Sequence, residues 1–266
     1  MTGMTPEFFM TLLLAFVQSA TEFLPVSSSA HLILCQSFNL TNQGMFSDVA
    51  LHAGTLFAVL IYFRKDIISM IYNFLSGGDS RLLRNLIVAT IPALIGAVIG
   101  IEVIARLRSP IIIAGTSIIF GTLLWISDKV SFVGTDADLR SMTVGDALCI
   151  GLAQVLSLVP GVSRSGITIT CCRALGFSRR ESTRFAMLLS VPTISAAAAY
   201  MMWIVARNDL WIQVFTKELI YGTVLAAVFG LLVISFLMRW IRRASFAVFA
   251  VYRIALGCFI LYYFLF

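Results

Sequence analysis

Long apolar runs, separated by short polar stretches, dominate the chain. Crossing a hydrocarbon core of ~30 Å takes about 20 apolar residues in a helix, and lipid offers unpaired backbone N–H and C=O groups no partner. Runs of that length predict six transmembrane helices, over residues 44–63, 85–105, 110–127, 185–206, 218–237 and 245–264. Two further apolar segments, 8–38 and 144–175, are interrupted. The first break reads Thr21-Glu22-Phe23-Leu24-Pro25-Val26-Ser27-Ser28-Ser29, the second Pro160-Gly161-Val162-Ser163-Arg164-Ser165-Gly166. Each predicts a re-entrant helix–loop–helix hairpin, because non-helical backbone at membrane depth survives only where protein or a wet cavity satisfies it. An ordinary kinked span is the alternative, since membrane helices tolerate Pro and Gly. The expected fold is all-α, a polytopic membrane protein forming a single membrane domain over residues 1–266.

Composition agrees with that reading and narrows it. Hydrophobic residues make up 59% of the chain and charged ones 12%, against about 45–50% apolar in soluble domains. A soluble fold could not hide so much apolar surface. The net charge of +6 invites a nucleic-acid partner, but the basic residues sit in short connections between apolar runs, so no nucleic acid is expected and they read as topology determinants. Five cysteines, Cys35, Cys149, Cys171, Cys172 and Cys258, lie mostly in apolar stretches, and neither a disulfide framework nor a metal-type Cys/His spacing is expected. No Lys or Arg precedes the first apolar run, which fits a cleaved signal peptide poorly.

Placing the connections 64–84, 129–140, 179–184 and 239–243 on the cytoplasmic side gathers twelve basic residues there, against Arg106, Arg108, Arg207 and Lys217 opposite. The first hairpin then enters from outside and the second from the cytoplasm. Each half is one hairpin plus three spans, and an odd number of spans inverts the second half. An inverted-topology repeat is expected, with residues 1–127 as the first repeat and 142–266 as the second. Gln18 precedes Pro25 by seven residues and Gln154 precedes Pro160 by six. Such repeats put sites where their broken helices meet.

Ionisable groups inside membrane segments are costly and default to function or tight pairing. Arg164 offers a planar donor fork for a pyrophosphate, Gly161 and Gly166 let backbone N–H groups approach an anion, and a helix starting near Ser165 adds its positive end. Across the cavity, Ser27, Ser28 and Ser29 supply hydroxyls, and a serine nucleophile needs His31 or Glu22 as a base. Gln18 and Glu22, spaced i, i+4, share a helix face that suits orienting a base or holding a divalent cation. Two structural alternatives stand beside this. Serines in membrane turns also satisfy backbone groups, and an Arg164–Glu22 ion pair could merely tie the hairpins together. His52 is open between packing, support and catalysis.

These motifs resemble the bacterial undecaprenyl-pyrophosphate phosphatase family, associated with bacitracin resistance. Gln18-Ser19-Ala20-Thr21-Glu22-Phe23-Leu24-Pro25-Val26-Ser27-Ser28-Ser29-Ala30-His31 is similar to its (Glu/Gln)-x-x-x-Glu motif and following serine–histidine stretch. Pro160-Gly161-Val162-Ser163-Arg164-Ser165-Gly166-Ile167-Thr168 matches its Pro-Gly-x-Ser-Arg-Ser-x-x-Thr motif at every fixed position. The resemblance implies removal of the terminal phosphate from a C55 isoprenoid pyrophosphate at the outer, periplasmic face of the bacterial inner membrane. That reaction recycles the lipid carrier of cell-wall synthesis. It implies a divalent cation, Mg²⁺ or Ca²⁺, with Glu22 as the metal ligand. Glu22, Ser28, His31 and Arg164 would be catalytic, and Gln18, Ser27, Ser29, Ser163, Ser165 and Thr168 would contact substrate. The expected partners are the isoprenoid pyrophosphate and the bilayer, with a homodimer among the allowed assemblies. Many members carry Glu in place of Gln18, Gly in place of Ser19 and Ala30, and Thr in place of Ser29. The missing carboxylate at Gln18 puts more weight on Glu22. The alternative function is a flippase or transporter of the phosphorylated lipid, because inverted repeats with broken helices are common in transporters.

Overall fold

The computed structural model describes residues 6–28, 30–31, 45–130, 137–209 and 216–265. Its helices are α1 (Pro6–Phe23), α2 (Met45–Tyr62), α3 (Arg64–Leu75), α4 (Arg81–Ile99), α5 (Ile101–Arg106) and α6 (Pro110–Lys129) in the first half. The second half contains α7 (Val144–Val155), α8 (Arg164–Ala174), α9 (Arg179–Arg207), α10 (Lys217–Trp240) and α11 (Ala247–Leu265). No strand occurs among the described residues; Ala137 and Phe177 form an isolated bridge. Five helices, α4, α6, α9, α10 and α11, are long and apolar enough to cross a bilayer. Shorter apolar helices cover Phe8–Phe23, Val49–Tyr62 and Val144–Leu158. Val98, Ile99, Leu232, Val251 and Tyr262 face outward, as a lipid-facing surface requires. The chain is a multi-pass, all-helical membrane protein.

Local chemistry explains where the helices differ from the apolar runs. The run expected over 85–105 is divided, because α4 ends at Ile99 and Gly100 separates it from α5. The run expected from Phe185 starts earlier, at Arg179, where the Ser178 hydroxyl accepts the Glu181 N–H at 3.2 Å and satisfies an orphan donor of the first turn. Hydropathy alone does not register a polar first turn. At α7, Thr143 and Asp146 form a reciprocal capping box.

The bundle closes through small residues. A Cβ on Gly54 of α2 would lie 2.3 Å from the Thr223 carbonyl oxygen of α10, and one on Gly151 of α7 would lie 2.7 Å from the Ala89 oxygen of α4. A Cβ on Gly257 of α11 would come within 2.7 Å of the Ala114 oxygen of α6. Such approaches let membrane helices gain van der Waals contact where no hydrophobic driving force separates helix from lipid. The Ser19 hydroxyl adds a 2.9 Å bond from α1 to the Ala226 carbonyl of α10. Phe23, Leu124, Phe185, Ile234 and Phe249 belong to the largest buried cluster.

Both polar breaks interrupt helix where the sequence places them. After α1 the chain turns through Ser27, which has φ of 77°, and helix resumes at Ser28. After α7 comes a 3₁₀ turn, Leu156–Leu158, then Gly161 at φ 92° and Ser163 at φ 70°, before α8 begins. Ser27 and Ser163 are two of three non-glycine residues with positive φ among the described residues. Such strain, of order 1–3 kcal/mol each, persists only where the surroundings hold it. Ser29 and residues 32–44, which include the remainder of the first expected hairpin (8–38), lie outside the described residues.

Candidate active site

The two breaks meet. Arg164, the first residue of α8, donates from Nη2 to Glu22 Oε1 at 2.7 Å, across the bundle from the last turn of α1. The Ser165 hydroxyl donates to the Leu24 carbonyl at 3.2 Å. Ser163 caps α8, its hydroxyl accepting the Gly166 N–H at 3.1 Å, and its Oγ lies 3.3 Å from Ser165 Oγ. The positive end of α8, Arg164 and two hydroxyls thus collect at one point, an arrangement suited to an anion. Arg164 also reaches Thr193 Oγ1 on α9 at 3.4 Å.

Glu22 is held from three sides. Gln18, one turn earlier, places Nε2 3.2 Å from Glu22 Oε2, and the same nitrogen is 3.1 Å from His52 Nε2 on α2. His52 Nε2 itself is 3.7 Å from Glu22 Oε2. The Glu22 side chain is 9% exposed, Arg164 18% and His52 36%, so access to the pair opens on the histidine side. The sequence left His52 open; its ring is placed on the carboxylate.

Four other predicted residues are described in or next to the two breaks. His31 bonds through Nδ1 to the Ser27 carbonyl at 2.8 Å and through Nε2 to the Tyr252 hydroxyl of α11 at 2.6 Å, with the two rings stacked. A carbonyl only accepts, so Nδ1 carries the proton and Nε2 accepts from the Tyr252 O–H. Ser27 is buried, Ser28 half-buried, and Ser29 lies outside the described residues. Thr168, one turn along α8 from Arg164, is buried and its hydroxyl has no hydrogen-bond partner among the described residues.

Sequence reasoning missed Arg253. This residue of α11 is fully buried, donates from Nη2 to the carbonyls of Gly161 at 2.9 Å and Val162 at 2.8 Å, and holds the second break from behind. Its Nη1 would lie 2.7 Å from a Cβ on Gly166, so a larger residue there would displace the guanidinium. A charge in the middle of a predicted span, 245–264, was the available signal. Tyr252 and Thr193 carried no comparable signal, being ordinary polar residues within apolar runs.

The fold and this centre define a helical membrane protein in which a buried ion pair joins two interrupted helices. The chain belongs to the family described as bacitracin resistance protein BacA, whose model matches residues 11–259. It is 40% identical to the undecaprenyl-diphosphatase of Alcanivorax borkumensis over 97% of this chain and 99% of that protein. It is 41% identical to that of Saccharophagus degradans, covering 92% and 93% of the two chains, and 43% identical to that of Elusimicrobium minutum, covering 94% and 95%.

Proposed function

We propose that this protein hydrolyses undecaprenyl pyrophosphate to undecaprenyl phosphate and inorganic phosphate, recycling a bacterial envelope lipid carrier and conferring bacitracin resistance. The observation that carries the reading is the 2.7 Å contact between Arg164 of one break and Glu22 of the other. It sets the family's two motifs face to face. A pyrophosphate arriving at the α8 terminus competes with Glu22 for Arg164, and bidentate binding to phosphate oxygens releases the carboxylate for chemistry. Ser28, or a water, attacks the terminal phosphorus, and the bond to the bridging oxygen breaks with undecaprenyl phosphate leaving. In the serine route, water then cleaves the phosphoserine. His31, whose Nε2 accepts the Tyr252 proton at rest, is the acceptor for the nucleophile's proton. Gln18, Ser27, Ser29, Ser163, Ser165 and Thr168 orient substrate or the groups that touch it. Most of the acceleration comes from stabilising charge on the transferred phosphoryl oxygens.

The donor set bears on the cation. Among the described residues no three His, Cys, Asp or Glu side chains group as a metal cage. One carboxylate with substrate phosphates and water suits Mg²⁺, and Glu22 fits that role for Mg²⁺ or Ca²⁺. Such a cation would neutralise phosphate charge.

The finer architecture belongs to the same proposal: six spans, with α2 as the sixth, two re-entrant hairpins, and inverted repeats over 1–127 and 142–266. Two matched features support the repeats. Gln18 lies nine residues before Ser27 and Gln154 nine before Ser163; both glutamines are buried and both serines have positive φ. In addition, α1 packs on α10 as α7 packs on α4, which is the exchange an inverted repeat demands. Loop charges support an orientation in which the site opens to the periplasmic face, in keeping with an inner-membrane protein.

The test is phosphate release from the C55 pyrophosphate by purified protein, with and without chelator. The reading expects release that chelator abolishes and Mg²⁺ or Ca²⁺ restores. Wild type that releases none with either cation would end it.

A further inference from the structure

The Gln18 carboxamide could face Glu22 with either end. A carboxylate only accepts, so the end beside Oε2 is the amino group, and its second N–H is directed at the other atom within reach, His52 Nε2. His52 therefore accepts at Nε2 and is the neutral tautomer with its proton on Nδ1. Turning the carboxamide over would set its oxygen against both the carboxylate and the imidazole lone pair. The two acceptors together fix which way Gln18 points.

The helices that present these groups are indexed to one spot. Ser19, next to Gln18, bonds the Ala226 carbonyl of α10. Gly54, two residues beyond His52, packs where a Cβ would meet the Thr223 oxygen at 2.3 Å and the Ala226 Cβ at 2.7 Å. Both α1 and α2 are thus pinned to Ala226, immediately beside the residues that meet over Glu22. The His52–Gln18 spacing is set by packing, not by the reach of two flexible side chains.

We propose that His52 is a positioning residue of this site. By accepting the second amide proton of Gln18, it holds Gln18 against Glu22 Oε2 and so dictates that Oε1 is the oxygen turned to Arg164 and the arriving phosphate. This rests on the phosphatase reading and adds to it the part that α2 contributes.

The experiment compares steady-state phosphate release from undecaprenyl pyrophosphate by wild type, His52→Leu, His52→Gln, Gln18→Leu and the Gln18→Leu/His52→Leu double variant, each checked for thermal melting in detergent. His52→Leu removes the acceptor and should lower kcat about tenfold while KM moves less than about threefold, because Arg164 still holds the phosphate. His52→Gln offers an amide oxygen to the same N–H and should recover kcat to within about threefold of wild type. The double variant should be no slower than Gln18→Leu, since His52 acts through Gln18. The inference is overturned by a wild-type kcat in His52→Leu, by no recovery in a His52→Gln protein that melts as wild type, or by additive losses in the double variant. If His52→Leu fails to fold, the His52→Gln result decides. Wild type without phosphate release sinks the phosphatase reading; an active wild type with an unresponsive His52 series sinks only this inference.

Discussion

Glu22 and Asp128 are both buried carboxylates facing arginines, yet they are built to opposite ends. Asp128, 2% exposed, has both oxygens saturated: Arg179 donates at 2.6 and 3.1 Å, Arg173 Nε lies at 3.4 Å, and the Phe246 N–H donates at 3.0 Å. That knot ties the end of α6 to α8, to α9 and to the approach to α11; Arg173 and Phe246 are buried with it, and Arg179 closes it from the surface. Glu22 instead faces one arginine, one amide and one half-exposed histidine, at the meeting of two strained turns. The lesson is that a buried ion pair marks a functional site when its partners can be exchanged for a ligand, and marks architecture when they cannot.

Parallel substitutions give the largest effect that could break this comparison. Asp128→Ala takes the carboxylate from the buried Arg173 and the Phe246 N–H, and removing one partner of a buried pair costs about 3–5 kcal/mol. Its expected signature is a strongly lowered melting temperature and poor recovery from membranes, with near-normal phosphate release per folded molecule. Glu22→Gln keeps the volume and should melt within a few degrees of wild type while phosphate release falls at least about 100-fold. Arg164→Ala should match it. The contrast fails if Asp128→Ala folds normally and is inactive, or if Glu22→Gln loses its fold.

That contrast also explains what could be read from the sequence. Glu22 and Arg164 were legible because a charge at membrane depth is costly and so stands out in a polar interruption, and the family's motifs run through both. Asp128 was not singled out, since it sits at the end of a predicted span and resembles an ordinary interfacial charge. Helix identity followed from hydropathy, but boundaries set by polar caps, such as Ser178 before α9, did not. His31 was read as a base for a serine nucleophile; its contacts are the Ser27 carbonyl and Tyr252 on α11, far along the chain. Pairings of that kind depend on which helix faces meet, and periodicity within a single helix carries no record of them.

An intermediate effect sharpens the comparison at Arg253, which combines features of both clusters. Like Asp128 it is fully buried and braces backbone; like Glu22 it touches a strained break. Arg253→Met preserves much of the packing and removes the donors to Gly161 and Val162. Hydrogen bonds from a charged group are worth about 1.5–3 kcal/mol, and a loosened break misplaces the α8 terminus. Steady-state kinetics should give a KM raised about tenfold, partly restored by Arg253→Lys. An unchanged KM with a lowered melting temperature would place Arg253 with Asp128 as architecture alone.

The smallest effect belongs to Thr143, at the start of the helix that leads into the second break. Its hydroxyl accepts the Asp146 N–H at 3.1 Å, and the Asp146 carboxylate accepts the Thr143 N–H at 2.8 Å. Thr143→Ala should cost about 1 kcal/mol, a lost N-cap, and lower the melting temperature by about 2–4 °C. Phosphate release should not change, because α7 is secured farther along by Gly151 against Ala89 and by the Gln154 amide donating to the Ala89 carbonyl at 3.4 Å. Fraying would stop there, short of Gly161 and Ser163. A fall in phosphate release would mean that the break feels the far end of α7, and that exchangeable and fixed polar clusters in this protein are not independent.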